Sequence, residues 1–144
     1  MSVDRNKELY QRFMTEVVSK GNMRVADEIL SPQVKEYEKL PPGYPPTIEG
    51  IKRLFGMLRV AFPDLHISIE DQLAEKDKVL ARVTLRGTHK GDFLGIPATN
   101  RTVAYEAIDI SRFVDGKLVE HWGIPDYLTL LQQLGVSRLP GSNH

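Results

Sequence analysis

The sequence has no cysteine among its 144 residues. That absence removes disulfide staples, thiolate nucleophiles and thiolate metal sites together. No apolar run approaches the roughly 20 residues that cross a bilayer. Met1 to Lys20 is threaded with charge and lacks the apolar centre of a secretory leader. A cytoplasmic chain with no membrane partner is therefore expected. An excess of either charge is missing as well, since Lys+Arg and Asp+Glu both number 19 and the formal net charge is zero. Without a basic stripe the phosphate neutralisation behind most nucleic-acid affinity has no source, and no nucleic-acid partner is expected. There is no HExxH, no histidine pair at helical spacing and no acidic cluster, which argues against a metal site. GxGxxG, the P-loop and GxSxG are also missing, which argues against a nucleotide cofactor and a serine nucleophile. No cofactor is expected.

What remains is a globular composition, 41% apolar and 26% charged, at a length suited to one core. Leu9, Phe13 and Val17 recur every four residues beside Tyr10, Met14 and Val18, which predicts a helix that stops at Gly21. Asn22 is the expected cap of a shorter helix carrying Met23, Ala26, Ile29 and Leu30, which Pro32 ends. KEYEKLPPGYPPT then reads as an irregular loop, with Glu36, Tyr37 and Glu38 at an entrance or on a solvated edge. Thr47 can cap a third helix with Ile48, Ile51, Leu54, Phe55, Leu58 and Phe62 on one face. From His66 the period changes to two. HISIEDQLAEKD and KVLARVTLRGTHKG read as strands, and RTVAYEAIDISRFVDGKLVEHWG as two more around an Asp-Gly turn. Asp126 reads as the N-cap of a last helix that ends at Gly135. Helices followed by strands indicate an α+β fold, with helices packed on one face of a curved, mainly antiparallel sheet. One domain spanning 1–144 is expected, with a loosely held tail at about 136–144.

The segment from Thr102 to Gly123 carries the chemistry, and its facing depends on the turn. A two-residue loop of Asp115 and Gly116 would set Asp109 opposite Trp122 and turn His121 away. A three-residue loop would pair Phe113 with Lys117, Asp109 with His121 and Ala107 with Gly123. The second register is preferred because it sorts the side chains. Ile108, Ile110, Trp122 and Ile124 then share an apolar face, and Tyr105, Ala107, Asp109, Ser111 and His121 a mixed one. An aspartate in mid-strand needs a partner, and His121 supplies one. Such a pair can relay a proton, or it can simply satisfy itself in a polar core patch. His89, near a strand end, reads as a loop histidine bonded to backbone, with a cavity mouth as the other possibility. His66 and His144 are assigned no role.

The stretches FPDLHISIEDQLAEKDKVLARVTLRGTHKGDFLGIPATNRTV and AIDISRFVDGKLVEHWGIPDYLTLLQQLG resemble the SnoaL-like polyketide cyclase group of the NTF2-like superfamily. The resemblance covers nearly the whole chain. It implies a cone-shaped α+β barrel with a deep apolar pocket and a homodimer formed through the outer sheet face, here Ile108, Ile110 and Trp122. It also implies cofactor-free aldol closure of a polyketide methyl ester, with an aspartate as acid/base and a nearby histidine assisting. Aligned on the turn and on Pro125-Asp126, the cyclase aspartate falls on Gly123 and the assisting histidine on Asp109, while His121 matches a pocket histidine. The expected catalytic residues are therefore Asp109 and His121. Tyr105, Ala107, Gly123, Phe13, Val17, Phe55 and Glu36 are expected to bind a small apolar carbonyl substrate. The expected chemistry is cofactor-free general acid/base catalysis, as aldol cyclisation, isomerisation or dehydration; the competing reading is a non-catalytic binding protein for a lipid-like or polyketide-like molecule.

Overall fold

A computed structural model describes residues 2–136, so the expected loose tail beyond Val136, with His144, lies outside the described residues. Helix α1 (Val3–Arg12) starts at Ser2, whose hydroxyl accepts the Arg5 N–H at 3.0 Å. It runs on without a break into a π-helical stretch, Phe13–Ser19, and stops before Gly21, which adopts a left-handed conformation. Leu9, Tyr10, Phe13, Met14, Val17 and Val18 are all buried, as the stripe predicted. Helix α2 (Met23–Ile29) is capped by the Asn22 side chain.

The next element corrects the sequence reading. In place of a helix running to Pro32 and a loop from Lys35, residues Leu30–Glu36 form strand β1. It pairs in parallel with the last strand and occupies the edge of the sheet. An edge strand bonds on one side only, which is why it tolerates Pro32. Helix α3 (Ile48–Ala61) follows the proline loop; Thr47 holds the N-cap position, but its side chain makes no capping bond. Strands β2 (His66–Glu75), β3 (Lys78–Thr88), β4 (Thr102–Val114) and β5 (Lys117–Pro125) lead to helix α4 (Tyr127–Leu134). Asp126 caps α4 by accepting the Thr129 N–H at 3.1 Å.

The five strands form one sheet in the order β1-β5-β4-β3-β2, antiparallel except for the β1-β5 pair. Val79, Ala81, Val83 and Leu85 of β3, with Val103, Tyr105 and Phe113 of β4, pack inward on the helices. Bulges in the β2-β3 and β4-β5 ladders add twist and help the sheet curl around them.

The β4-β5 hairpin decides which side chains meet, and it follows neither expected register. Its loop has two residues: Asp115 and Gly116 both adopt positive φ (49° and 80°), the primed turn favoured between twisted strands. Val114 accordingly pairs with Lys117 and Phe113 with Leu118. A bulge then inserts one extra β5 residue, so Ser111 pairs with His121, Asp109 with Gly123 and Ala107 with Pro125. The expected pairings of Asp109 with His121 and Ala107 with Gly123 are thus corrected by two places. Facing survives, because the bulge shifts the register by one residue in the sense opposite to the longer loop, which restores the same parity two places away. Asp109 and His121 become diagonal neighbours on the inner face, still within side-chain reach.

Candidate active site

Between the helices and the inner face of the sheet lies a cavity of about 740 Å³, counting its open mouth. Phe13, Met14 and Val18, then Ile51, Leu54, Phe55 and Leu58 of α3, and Val83 and Leu85 of β3 make its wall apolar. The polar lining comes from Glu36, Glu38, Tyr105, Asp109, Ser111, His121 and Tyr127.

A continuous hydrogen-bonded chain crosses this polar side. The Tyr10 hydroxyl donates to Asp109 Oδ1 at 2.7 Å. Asp109 Oδ2 lies 3.2 Å from His121 Nε2, and His121 Nδ1 lies 2.7 and 2.9 Å from the two Glu36 oxygens. Glu36 Oε1 also accepts the Glu38 N–H at 2.9 Å. A neutral imidazole donates from one nitrogen only, whereas both nitrogens of His121 face carboxylates, so the doubly protonated ring satisfies the site. Burial alone would lower the His121 pKa. The hydrogen bonds and charges of Asp109 and Glu36 outweigh it and hold the value at about 10. At neutral pH His121 is a fixed cation. Burial, then the Asp109 charge, drives the Tyr10 hydroxyl pKa upward, so it remains a donor.

Glu38 differs from the other carboxyls. Its side chain makes no hydrogen bond among the described residues. Burial raises its pKa most, His121 lowers it, and Glu36 and Asp109 raise it further, to about 7. It reaches the cavity because the Tyr37 N–H donates to the His121 carbonyl at 2.8 Å, continuing the β1-β5 pairing past the strand end. Glu36 and Glu38 therefore share the inner side of the extended segment. Tyr37 faces out, with its ring stacked on Trp122 at 5.1 Å.

The structure brings Asp109, His121, Tyr105, Ala107, Phe13, Phe55 and Glu36 to one cavity. Two expected lining residues are corrected. Val17 is fully buried away from the cavity, which Met14 and Val18 reach instead. Gly123 adjoins the cavity but does not line it, because a Cβ there would collide with Glu38 Oε1, lie 3.2 Å from Glu38 Cδ and 3.0 Å from His121 Cε1. Glu36 is no entrance residue either: it is 7% exposed and bonded to His121. His89 is fully buried outside this cavity, and its Nδ1 accepts the Thr99 N–H at 3.2 Å, as a loop histidine bonded to backbone.

Sequence reasoning gave Tyr10 no site role, put Ser111 on the inner face without one, and left Glu38 at an entrance or a solvated edge. A signal for Glu38 was present. In VKEYE, Val34, Glu36 and Glu38 alternate with Lys35 and Tyr37, a period of two hidden by the prolines around it.

The sequence profile described as SnoaL-like polyketide cyclase matches residues 8–134. This chain belongs to that family. Nogalonic acid methyl ester cyclase of Streptomyces nogalater is 29% identical over 123 residues, covering 85% of this chain and 92% of that protein. Aklanonic acid methyl ester cyclase DnrD of Streptomyces peucetius is 46% identical over 57 residues, a match spanning only 40% of this chain and 39% of that protein. Among solved structures, TsrD from Streptomyces laurentii superposes with a TM-score of 0.84 at 30% identity, over 94% of this chain and 98% of that one. Like TsrD, this SnoaL-like protein folds as a helix-filled, curved sheet, and no helix among its described residues is long and apolar enough to cross a membrane. At Gly123 the backbone carries no side chain, and the Glu38 carboxyl from the end of β1 occupies the space where a Cβ would stand.

Proposed function

We propose that this SnoaL-like protein is a cofactor-free cyclase that closes a carbon–carbon bond within a polyketide-type methyl ester. The observation that carries the reading is a histidine cation pinned by two carboxylates on the polar side of an otherwise apolar cavity. Aldol closure passes through an enolate and then an alkoxide, and both oxygens gain from a fixed cation in low-dielectric surroundings. His121, oriented by Asp109 and Glu36, is that cation. Its Nε2–H, in the longer of its two contacts, is the proton a substrate oxygen would share. Tyr105, whose hydroxyl pKa is driven up by burial and then by the charges of Tyr127 and Glu38, stays protonated and is the second donor. Ala107 is the small inner-face residue between Tyr105 and Asp109, leaving room for the substrate. The names of the curated relatives support the substrate class.

Incubation of the purified protein with nogalonic or aklanonic acid methyl ester, without metal or nucleotide, should convert ester to a cyclised isomer of unchanged mass. Chromatography of the product decides it. Recovery of both esters unchanged sinks the cyclase and leaves the binding role.

The same reading includes a homodimer through the outer sheet face. Ile108 (52% exposed) and Ile124 (80%) lie there beside Ile110 and Trp122, an apolar surface of the kind that marks an interface. Ile108→Asp should shift the protein from dimer to monomer in sedimentation velocity without changing its circular dichroism. Monomeric wild-type protein would refute the dimer.

A further inference from the structure

Three carboxyl groups surround His121, and two of them are committed. Asp109 accepts from Tyr10 and His121, while Glu36 accepts from His121 and from the Glu38 backbone. The third, Glu38, presents its carboxyl to the cavity unengaged. It stands against the bare backbone of Gly123 and beside the His121 ring, where any side chain at position 123 would meet it. The groups around it come from every neighbouring element: Glu36 from β1, Asp109 and Tyr105 from β4, His121 from β5 and Tyr127 from the start of α4. Of these, only His121 is a cation, and it is already shared by two carboxylates.

We infer that Glu38 is the general acid/base of the cavity, a carboxylate delivered from the end of β1 into the space that Gly123 leaves open. The inference rests on the cyclase reading and assigns the proton transfer within it. The Glu38 carboxylate removes a proton from the substrate carbon α to the ester carbonyl, and the C–H electron pair becomes the enolate. The enolate carbon attacks a second carbonyl carbon of the same molecule, forming the new C–C bond, and the C=O π pair becomes an alkoxide. The Glu38 carboxyl then returns its proton to that alkoxide. Nothing is oxidised or reduced and the carboxylate is regenerated, so no co-reactant is required. A carboxyl that titrates at about 7 is suited to both steps at neutral pH, because it is neither too weak a base nor too weak an acid. Asp109 and Glu36 act differently, as positioning residues for the His121 cation.

Two readouts on nogalonic acid methyl ester test this: deuterium uptake from D2O at its acidic carbon, followed by NMR, and ring closure. Wild-type protein should catalyse both, with rates rising through a pH midpoint near 7. Glu38→Gln, which keeps the shape, should lose ~10²-fold or more in deuterium uptake, and the pH limb should vanish. The double variant Glu38→Ala/Gly123→Asp should regain uptake with a displaced midpoint, because a carboxylate from β5 would enter the vacated space. Uptake that depends on Glu38 without ring closure would support the assignment while refuting the cyclase. Ring closure in Glu38→Gln at near wild-type rate, with the limb intact, would overturn the assignment and leave the cyclase standing. Wild-type protein that does neither would overturn both.

Discussion

Replacing His121 with leucine is expected to lower stability at about pH 6.5 by about 3–5 kcal/mol, the usual result of stripping one partner from a buried ion pair. Among the described residues the ring is the only cation between Asp109 and Glu36. Leucine leaves two buried carboxylates facing each other with Tyr10 as the main remaining side-chain donor. A loss of this size is a large part of the 5–15 kcal/mol that holds a domain together. Its pH dependence identifies the cause. Carboxyls left without their cation bind protons more tightly in the folded chain than in the unfolded one, so protonation relieves the defect. Urea denaturation of the two proteins should therefore show the gap narrowing as pH falls from about 6.5 to about 4.5. In that window His121 itself is not the variable, because its ordinary value is 6.5 and its folded value is about 10. A gap that stays constant would assign the loss to packing. The same titration reports on the wild-type site. His121 and Glu38 are both raised when folded, so each contributes stability below its ordinary value and loses it as pH rises through the folded one. Wild-type stability should fall from about pH 4.5 toward 7 through Glu38, and from about 6.5 toward 10 through His121. A rise over that range would contradict the network.

Asp109→Asn is expected to lower kcat by roughly 10²-fold or more while KM changes little. The substituted amide can still accept from Tyr10 through its oxygen. Its NH2 group then faces His121 Nε2, and two donors confront each other where a donor met a carboxylate. The imidazolium loses one of its two anchors, its pKa drops, and the cation that receives the developing oxyanion is weakened in the transition state more than in the bound substrate. An NMR titration of His121 should show the lower pKa alongside the slower turnover. Near-normal kcat would remove Asp109 from the mechanism. A reduced kcat with an unmoved His121 pKa would mean that Asp109 acts on the substrate directly rather than through the histidine.

Much of this site was legible before any coordinates. Asp109 stands out because a mid-strand aspartate must find a partner, and strand parity offers His121 as that partner. Tyr105 and Ala107 follow from the same inside and outside faces, Phe13 and Phe55 lie on apolar helix stripes, and the cavity holds all four. Glu36 lies in KEYEKLPPGYPPT, whose prolines read as loop and hide β1, so its place beside His121 has no local signal. Strand β1 is parallel to β5 and some eighty residues from it in sequence; no local signal marks such a pairing, whereas a hairpin carries its own turn. Val17 is buried without lining the cavity, because helical periodicity predicts burial but not whether the buried side chain meets a cavity or packed atoms.

The sequence by itself determined the face on which each strand residue lies, since the side-chain period of two follows from chain geometry and patterning selects the buried face. It thereby put Asp109 and His121 on the same side. Tertiary structure alone decided their true pairing and their company. The β4-β5 bulge moved His121 opposite Ser111 and brought Gly123 opposite Asp109. The distant β1 edge then delivered Glu36 to the histidine and Glu38 to the space at Gly123. A bulge's position and a parallel partner are settled by global packing, where contacts between residues far apart in sequence outweigh local preference.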